Sequence, residues 1–303
     1  MSKRKKKNNL LIINILLFII LITGIILLFI FINNNKKDDN KEEENNVVEN
    51  IEPTPTPDPK LQELEFINEK LDFFKMDYVD RYIAYKNEHP EYDLETVIVY
   101  VNIGLDYPFY ENVVDSPYKY ETTVLCNKHY FLGEDYVPKS LDPVNPKYAI
   151  SNDKYMDYEA RIAFEEMAAA ALSEGYTVKA TSTYRSYSYQ TNLYNRYAAS
   201  DGTAKADTYS ARAGYSEHQT GLAVDVSDGK LSYTKFGTTK EYQWMLDNAY
   251  KYGFILRYTK ENEFITGYME EAWHYRYVGK EIAEYIQNHP MTYEEYYVRF
   301  LDK

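Results

Sequence analysis

From Leu10 to Ile32 the chain runs 23 residues broken only by Asn14, Thr23 and Gly24. At about 1.5 Å per residue a helix of that length reaches roughly 34 Å, enough for about 30 Å of hydrocarbon. The pattern predicts a membrane-spanning helix over 10–32. Lys3, Arg4, Lys5, Lys6 and Lys7 precede it and acidic residues dominate after Lys37. The excess of cations on one side places residues 1–9 in the cytoplasm and everything after Asn33 outside. A cleaved signal peptide is the alternative, but its apolar region spans only about 7 to 15 residues and ends in a small-residue cleavage site. Neither condition holds here, and no cysteine follows the span where lipoprotein processing needs one. The expected location is a bacterial cell membrane, single-pass, with the bulk of the chain extracellular.

Residues 33–60 carry Asn, Lys, Asp and Glu and then Pro53-Thr54-Pro55-Thr56-Pro57-Asp58-Pro59. With so little apolar content this segment cannot build a core and reads as a disordered tether, extended by its alternating prolines. The formal charge is −13 overall and, without the five basic residues among the first nine, −18. Nucleic acid is therefore not an expected partner, because its binders carry a basic footprint. The single cysteine, Cys126, cannot close an internal disulfide, so an extracytoplasmic domain at 61–303 must rely on its own core. About 240 residues suffice for that, and a monomer is expected.

Within this domain, 61–88 reads as helical. Thr96 to Asn102 reads as a short β-rich or buried run, with helix as the competing assignment. Asp157 to Glu174 is a clear helix, with Ile162, Met167, Ala170 and Ala171 on its apolar face and Gly175 placed as a C-terminal cap. Tyr176 to Thr183 alternates like a strand, Tyr187 to Ala199 is helical, and Lys240 to Tyr252 is a helix capped by Thr238 and Thr239 and stopped by Gly253. Phe254 to Tyr258 returns as a strand. Helices and strands mix without a βαβ rhythm, which predicts α+β: a single domain with a small antiparallel sheet flanked by helices.

Chemistry concentrates in two motifs, Ser216-Glu217-His218-Gln219-Thr220-Gly221-Leu222-Ala223-Val224-Asp225 and Glu271-Ala272-Trp273-His274. Read as a strand, 221–226 puts Gly221, Ala223 and Asp225 on one face and Leu222, Val224 and Val226 on the other. The apolar face suits the core; the small side chains beside Asp225 leave room for a metal with substrate above it. His218 lies just before, and Gly221 permits a turn that returns its ring toward Asp225. An exposed Asp and a surface His beside a hairpin would look the same in isolation. Trp273 to Val278 reads as another strand, with His274 and Arg276 on one face. Of the five histidines, His89 and His289 precede prolines in Asn- and Glu-bearing loops and His129 neighbours Tyr130 in an unremarkable segment, so solvated or packing roles are expected for these three, which leaves His218 and His274. Two imidazoles and one carboxylate make a three-ligand set with a fourth position open to water, the composition of a hydrolytic zinc site. Glu271, three residues before His274, shares its side only if the chain bends, so a bend is expected at Ala272. A glutamate so placed can take a proton from water and pass it to a leaving amine; Glu270 is the rival base.

Taken together, Ser182-Thr183-Tyr184-Arg185-Ser186 with Gln190, then Ser216-x-His218-x-x-Gly221-x-Ala223-x-Asp225, then Glu271-x-Trp273-His274-x-Arg276-Tyr277-Val278-Gly279, resemble the VanY-like zinc D-alanyl-D-alanine carboxypeptidase family. The resemblance covers roughly residues 80 to 285, with the motifs in family order. It implies one Zn2+ per chain held by His218, Asp225 and His274. It further implies Glu271 as general base, Arg185 stabilising the oxyanion or orienting substrate, and Ser216, Gln190 and Tyr184 as substrate contacts. Arg81-Tyr82-x-x-Tyr85 and Val101-Asn102-x-Gly104-Leu105-Asp106 resemble segments that precede these motifs and are expected to pack on the back of the domain. Ala272 stands where the family usually has proline and Glu270 where an aromatic is common.

The activity implied is removal of the terminal D-alanine from peptidoglycan stem peptides by water, with no covalent intermediate. An LD-carboxypeptidase acting on tetrapeptide stems and an endopeptidase cutting cross-links share that chemistry. A zinc-bound cell-wall recognition module without turnover is the alternative from another class, and intact Glu271 and Arg185 argue against it.

Overall fold

The computed structural model describes residues 71–302. The expected basic tail, membrane span and tether lie outside these residues, as does the first part of the helix expected over 61–88. Among the described residues no helix is long and apolar enough to cross a membrane.

A four-stranded antiparallel sheet carries the motifs. Its strands are β1 (Lys179–Ser182), β2 (Ala223–Ser227), β3 (Phe254–Leu256) and β4 (His274–Tyr277), in the order β1-β2-β4-β3. Two further pairs are only two residues long, Val114–Asp115 with Tyr130–Phe131, which is parallel, and Asp142–Pro143 with Tyr155–Met156. The principal helices are α1 (Val79–Glu88), α2 (Leu94–Ile103), α3 (Tyr158–Ser173), α4 (Tyr187–Asp201), α5 (Lys240–Asn248), α6 (Lys280–Asn288) and α7 (Tyr293–Tyr296), with single α-helical turns at Thr203–Ala206 and Glu263–Thr266 and several 3-10 turns between them. The arrangement is the α+β domain that the element order predicts.

Alternation along β2 and β4 divides the sheet into two chemically distinct faces. Val224, Val226 and Tyr275 join a buried apolar cluster with Ala160, Phe164 and Met167 of α3 and Trp244 and Met245 of α5. Asp157 caps α3 by accepting from Glu159 N, and Gly175 follows at φ +86° as the chain leaves the helix. Of the four residues expected on the apolar face of α3, Met167 and Ala171 are fully buried; Ile162 and Ala170 lie at its flank, and Ala160, Ala163 and Phe164 complete the buried stripe. Thr239 caps α5 by accepting from Tyr242 N. Past Asn248 that helix tightens into a 3-10 turn over Ala249–Tyr252 and stops at Gly253, φ +85°.

Residues 96–102 are helical, within α2, so the β-rich reading of this run is corrected. Asp93 caps α2 by accepting from Thr96 N, and Gly104 ends it in the left-handed conformation. Val97, Ile98, Val99, Val101 and Ile103 are all buried. A helix apolar over most of its circumference has little amphipathic period, so its β-branched composition mimics a strand. It packs with α1, α7 and Tyr297 in a second apolar cluster. Arg81 clamps this back layer by donating Nε and Nη2 to the Asp106 carboxylate, each at 2.7 Å, and Nη2 also to the Val101 carbonyl at 3.0 Å.

Candidate metal centre

The sheet register builds the centre. Asp225 of β2 pairs directly with His274, the first residue of β4, on the face turned away from the apolar core. His218 arrives from the 3-10 turn Glu217–Thr220, which ends at Gly221 with φ +73°. Gly221 is therefore a turn residue preceding the strand. A Cβ there would meet Asp157 N and Leu141 Cδ2 at 3.0 Å, so close packing as well as conformation requires glycine. Donor atoms of His218, Asp225 and His274 all lie within 4.8 Å of one another.

Hydrogen bonds fix which atoms face inward. Nδ1 of His218 lies 2.7 Å from the Thr183 carbonyl, which can only accept, so this nitrogen carries the proton and Nε2 turns toward Asp225 Oδ2 at 3.3 Å. On His274 the roles are reversed: Nδ1 faces Asp225 Oδ1 at 2.9 Å and Nε2 faces Glu217 Oε2 at 3.2 Å. Burial, and then the Arg185 cation, push His218 down to about 4, so it is a neutral imidazole with a lone pair to give. For His274, burial is outweighed by Asp225 and Glu217 and the pKa rises to about 9. Its Nδ1 proton thus stands where a cation at the donor set would stand. Asp225 is held well below the usual carboxylate range, because His218, His274 and Arg185 outweigh the cost of burial. One carboxylate between two inward-facing ring nitrogens fits a divalent ion.

Glu271 completes the arrangement. The bend at Ala272 is present without proline: His274 N donates to Glu271 O at 3.0 Å across the turn, and Glu271 Oε2 lies 4.0 Å from His274 Nδ1. Burial raises the Glu271 carboxyl to about 8, a pull that a nearby divalent cation opposes. Glu270 is exposed at the rim, its amide donating to Glu263 Oε1.

Both glutamates, the three donors, Arg185 and Ser216 line a cavity of about 710 Å³ whose walls include Ser210, Tyr233 and Trp273. Arg185 donates Nη2 to Asp225 Oδ2 at 2.9 Å and Nε to Ser182 Oγ at 2.9 Å, while Nη1 keeps a long 3.5 Å contact with Gln190 Oε1. Gln190 is buried, and its other amide end donates to the Ala211 carbonyl, so it props Arg185 and the opposite wall. Tyr184 stands outside the cavity lining; its backbone amide bonds the Tyr155 carbonyl.

Sequence reasoning passes over Glu217. Its side chain is fully buried, and besides His274 it faces Arg257 Nε at 2.9 Å and Arg276 Nη1 at 3.2 Å. Arg257 in turn pairs with Glu294. The alternation that puts Arg276 on the His274 face was the only signal in the sequence.

A set of three buried donors with a carboxylate of raised pKa beside it, in an open cavity, is of the metal-dependent hydrolase class. Comparison with known proteins narrows the class. Residues 153–280 match the family model of VanY, D-alanyl-D-alanine carboxypeptidase. A D-alanyl-D-alanine carboxypeptidase of Enterococcus faecium is 30% identical over 237 residues, covering 75% of this chain and 75% of that protein. The chain belongs to the VanY-like D-alanyl-D-alanine carboxypeptidase family. The protein YodJ of Bacillus subtilis (strain 168) is 42% identical over 179 residues, 57% of this chain; the chain spans 66% of that protein, just under two thirds of its length. Among solved structures, the LD-carboxypeptidase LdcB superposes with TM-score 0.58 and 39% identity over 62% of this chain and 91% of that one. A vancomycin-resistance D,D-pentapeptidase VanY in complex with Zn(II) does so with TM-score 0.50 and 33% identity over 58% and 98%.

Proposed function

We propose that this chain is a zinc carboxypeptidase that removes the C-terminal D-alanine from peptidoglycan stem peptides at the outer face of a bacterial membrane. The carrying observation is the convergence of His218, Asp225 and His274 within 4.8 Å, with Glu271 beside them in an open cavity. His218 Nε2, the Asp225 carboxylate and His274 Nδ1 would hold the zinc, which would supply Lewis acidity toward a water and the scissile carbonyl.

The side chains do the rest. Glu271, with its pKa raised by burial, takes the proton of the attacking water and returns it to the leaving amine. Arg185, held by Asp225 and Ser182 and only loosely by Gln190, has donor capacity left for negative charge developing on the substrate. Ser216 lies in the same wall and orients the peptide. The span at 10–32 anchors the chain with its N-terminus cytoplasmic, and residues 33–60 hold the domain off the lipid, where nascent wall is made.

A second reading, LD-carboxypeptidase action on tetrapeptide stems, is favoured by the higher identity and TM-score of the LdcB structure. Full-length protein in detergent, incubated with defined penta- and tetrapeptide stems with and without chelator, decides between them. D-alanine from the pentapeptide alone supports the first reading and from the tetrapeptide alone the second. No metal-dependent release from either overturns both.

A further inference from the structure

Glu217 occupies the position between Ser216 and His218 in the cavity wall, yet its side chain is fully buried. Oε1 accepts from Arg257 and Arg276, and Oε2 lies 3.2 Å from His274 Nε2. A carboxylate facing two guanidiniums is ionised and can only accept, so the hydrogen on that third contact belongs to the imidazole. His274 Nε2 therefore keeps its hydrogen, and Nδ1, whose own hydrogen faces Asp225 at 2.9 Å here, is the nitrogen that would give up its hydrogen and present a lone pair to a metal. We propose that Glu217 is a positioning residue for the metal centre, fixing the tautomer and ring plane of His274 and screening the centre from the two guanidiniums behind it.

The rest of the layer supports the assignment. Arg257 and Arg276 would leave two positive charges against a cation site; Glu217 stands between them and His274, and Glu294 neutralises the far end through Arg257. Glu294 is held in turn by Asn127 Nδ2 at 3.1 Å, and Arg276 donates to the Thr122 and Val124 carbonyls. The imidazole plane is also braced from the side by Tyr258, stacked at 4.9 Å between ring centroids. Charge, tautomer and ring orientation converge on one ligand nitrogen. Outer partners of this kind govern metal affinity and ligand geometry. A counter-ion serving only the two arginines would need no contact with the imidazole.

The inference rests on the zinc reading above, and its test separates the two. In full-length Glu217→Gln, chelator competition is expected to show zinc affinity reduced about 10- to 100-fold, with a shifted visible spectrum when cobalt replaces zinc. A folded variant with wild-type affinity and an unchanged cobalt spectrum overturns the role of Glu217 alone. No zinc bound by the wild type overturns the metal centre and this inference with it. Because Glu217→Gln leaves two buried guanidiniums short of a partner and can fail to fold, a second measurement uses the zinc-loaded wild type. Histidine 15N spectra are expected to show His274 bound through Nδ1, with a slowly exchanging Nε2 proton, and His218 bound through Nε2. Ligation of His274 through Nε2 overturns the proposal.

Discussion

Two layers of buried charge meet at His274, and they are compensated differently. Behind the ring, Glu217, Arg257 and Glu294 have side chains with no exposure, and their charges are paired. Arg257 is held well above its ordinary value, the two glutamates outweighing its burial, and Glu217 is held far below its own by Arg257 and Arg276. In front of the ring the groups are pulled apart: Glu271 rises to about 8, His274 to about 9, and His218 falls to about 4. A closed network resists a change of protonation and serves structure. Groups with opposed shifts around an open position are available for chemistry.

The largest effect that would break this contrast falls on Glu271. Glu271→Gln removes a base and an acid while leaving the three donors in place. It is expected to lower kcat for D-alanine release by about 10²- to 10⁴-fold with zinc content unchanged. Activity within tenfold of wild type would shift the acid-base role to Glu270 at the rim and remove Glu271 from the front layer.

Behind the ring the expected effect is on stability. Arg257→Met leaves buried Glu294 without its guanidinium partner and Glu217 with one guanidinium, that of Arg276, in place of two, and is expected to cost about 3 to 5 kcal/mol in urea unfolding. Adding Glu294→Leu replaces most of the ion pair by apolar contact and should recover much of that loss. A single variant costing under about 1 kcal/mol would show that water or relaxation already compensates this layer.

How much of each layer the sequence reveals follows from where its partners lie. The front layer is legible because strand alternation puts Asp225 and His274 on one face, and an offset of three plus a bend brings Glu271 beside His274. Cross-strand pairing of Asp225 with His274 then needs no information beyond two strands meeting in register. The back layer is not legible. Glu217 finds Arg257 and Arg276 at separations of 40 and 59 residues, and no local pattern distinguishes a buried charge with distant partners from a solvated one. The fold divides in the same way. Helix α3 shows a cap, a stripe and a terminal glycine, while α2, buried over most of its circumference, loses the periodicity that marks a helix. The strand expected from Gly221 begins two residues later, because a glycine able to make a tight turn does so when Asp157 and Leu141 crowd it.

Lys128 is an intermediate case, a buried cation with no carboxylate in its hydrogen bonds. Its Nζ donates to the Asp207 and Gly267 carbonyls at 2.7 and 2.6 Å and lies 4.3 Å from the Tyr268 ring centroid. Burial lowers its pKa from 10.5 to about 8, with Asp207 opposing the shift. Below pH 8 the folded protein carries the full cost of this desolvated ammonium. From about 8 to 10.5 the unfolded chain binds the extra proton, so stability rises with pH through that window. The total is on the order of 3 kcal/mol. Comparing wild type with Lys128→Met by chemical denaturation at a series of pH values cancels the titration common to both, including that of the buried tyrosines. The wild type should gain on the variant as pH climbs from 8 to 10. A gap that stays flat over this range would mean that two carbonyls and an aromatic face compensate a buried charge as fully as the carboxylates behind His274, and carboxylate pairing would no longer distinguish the silent layer from the titrating one.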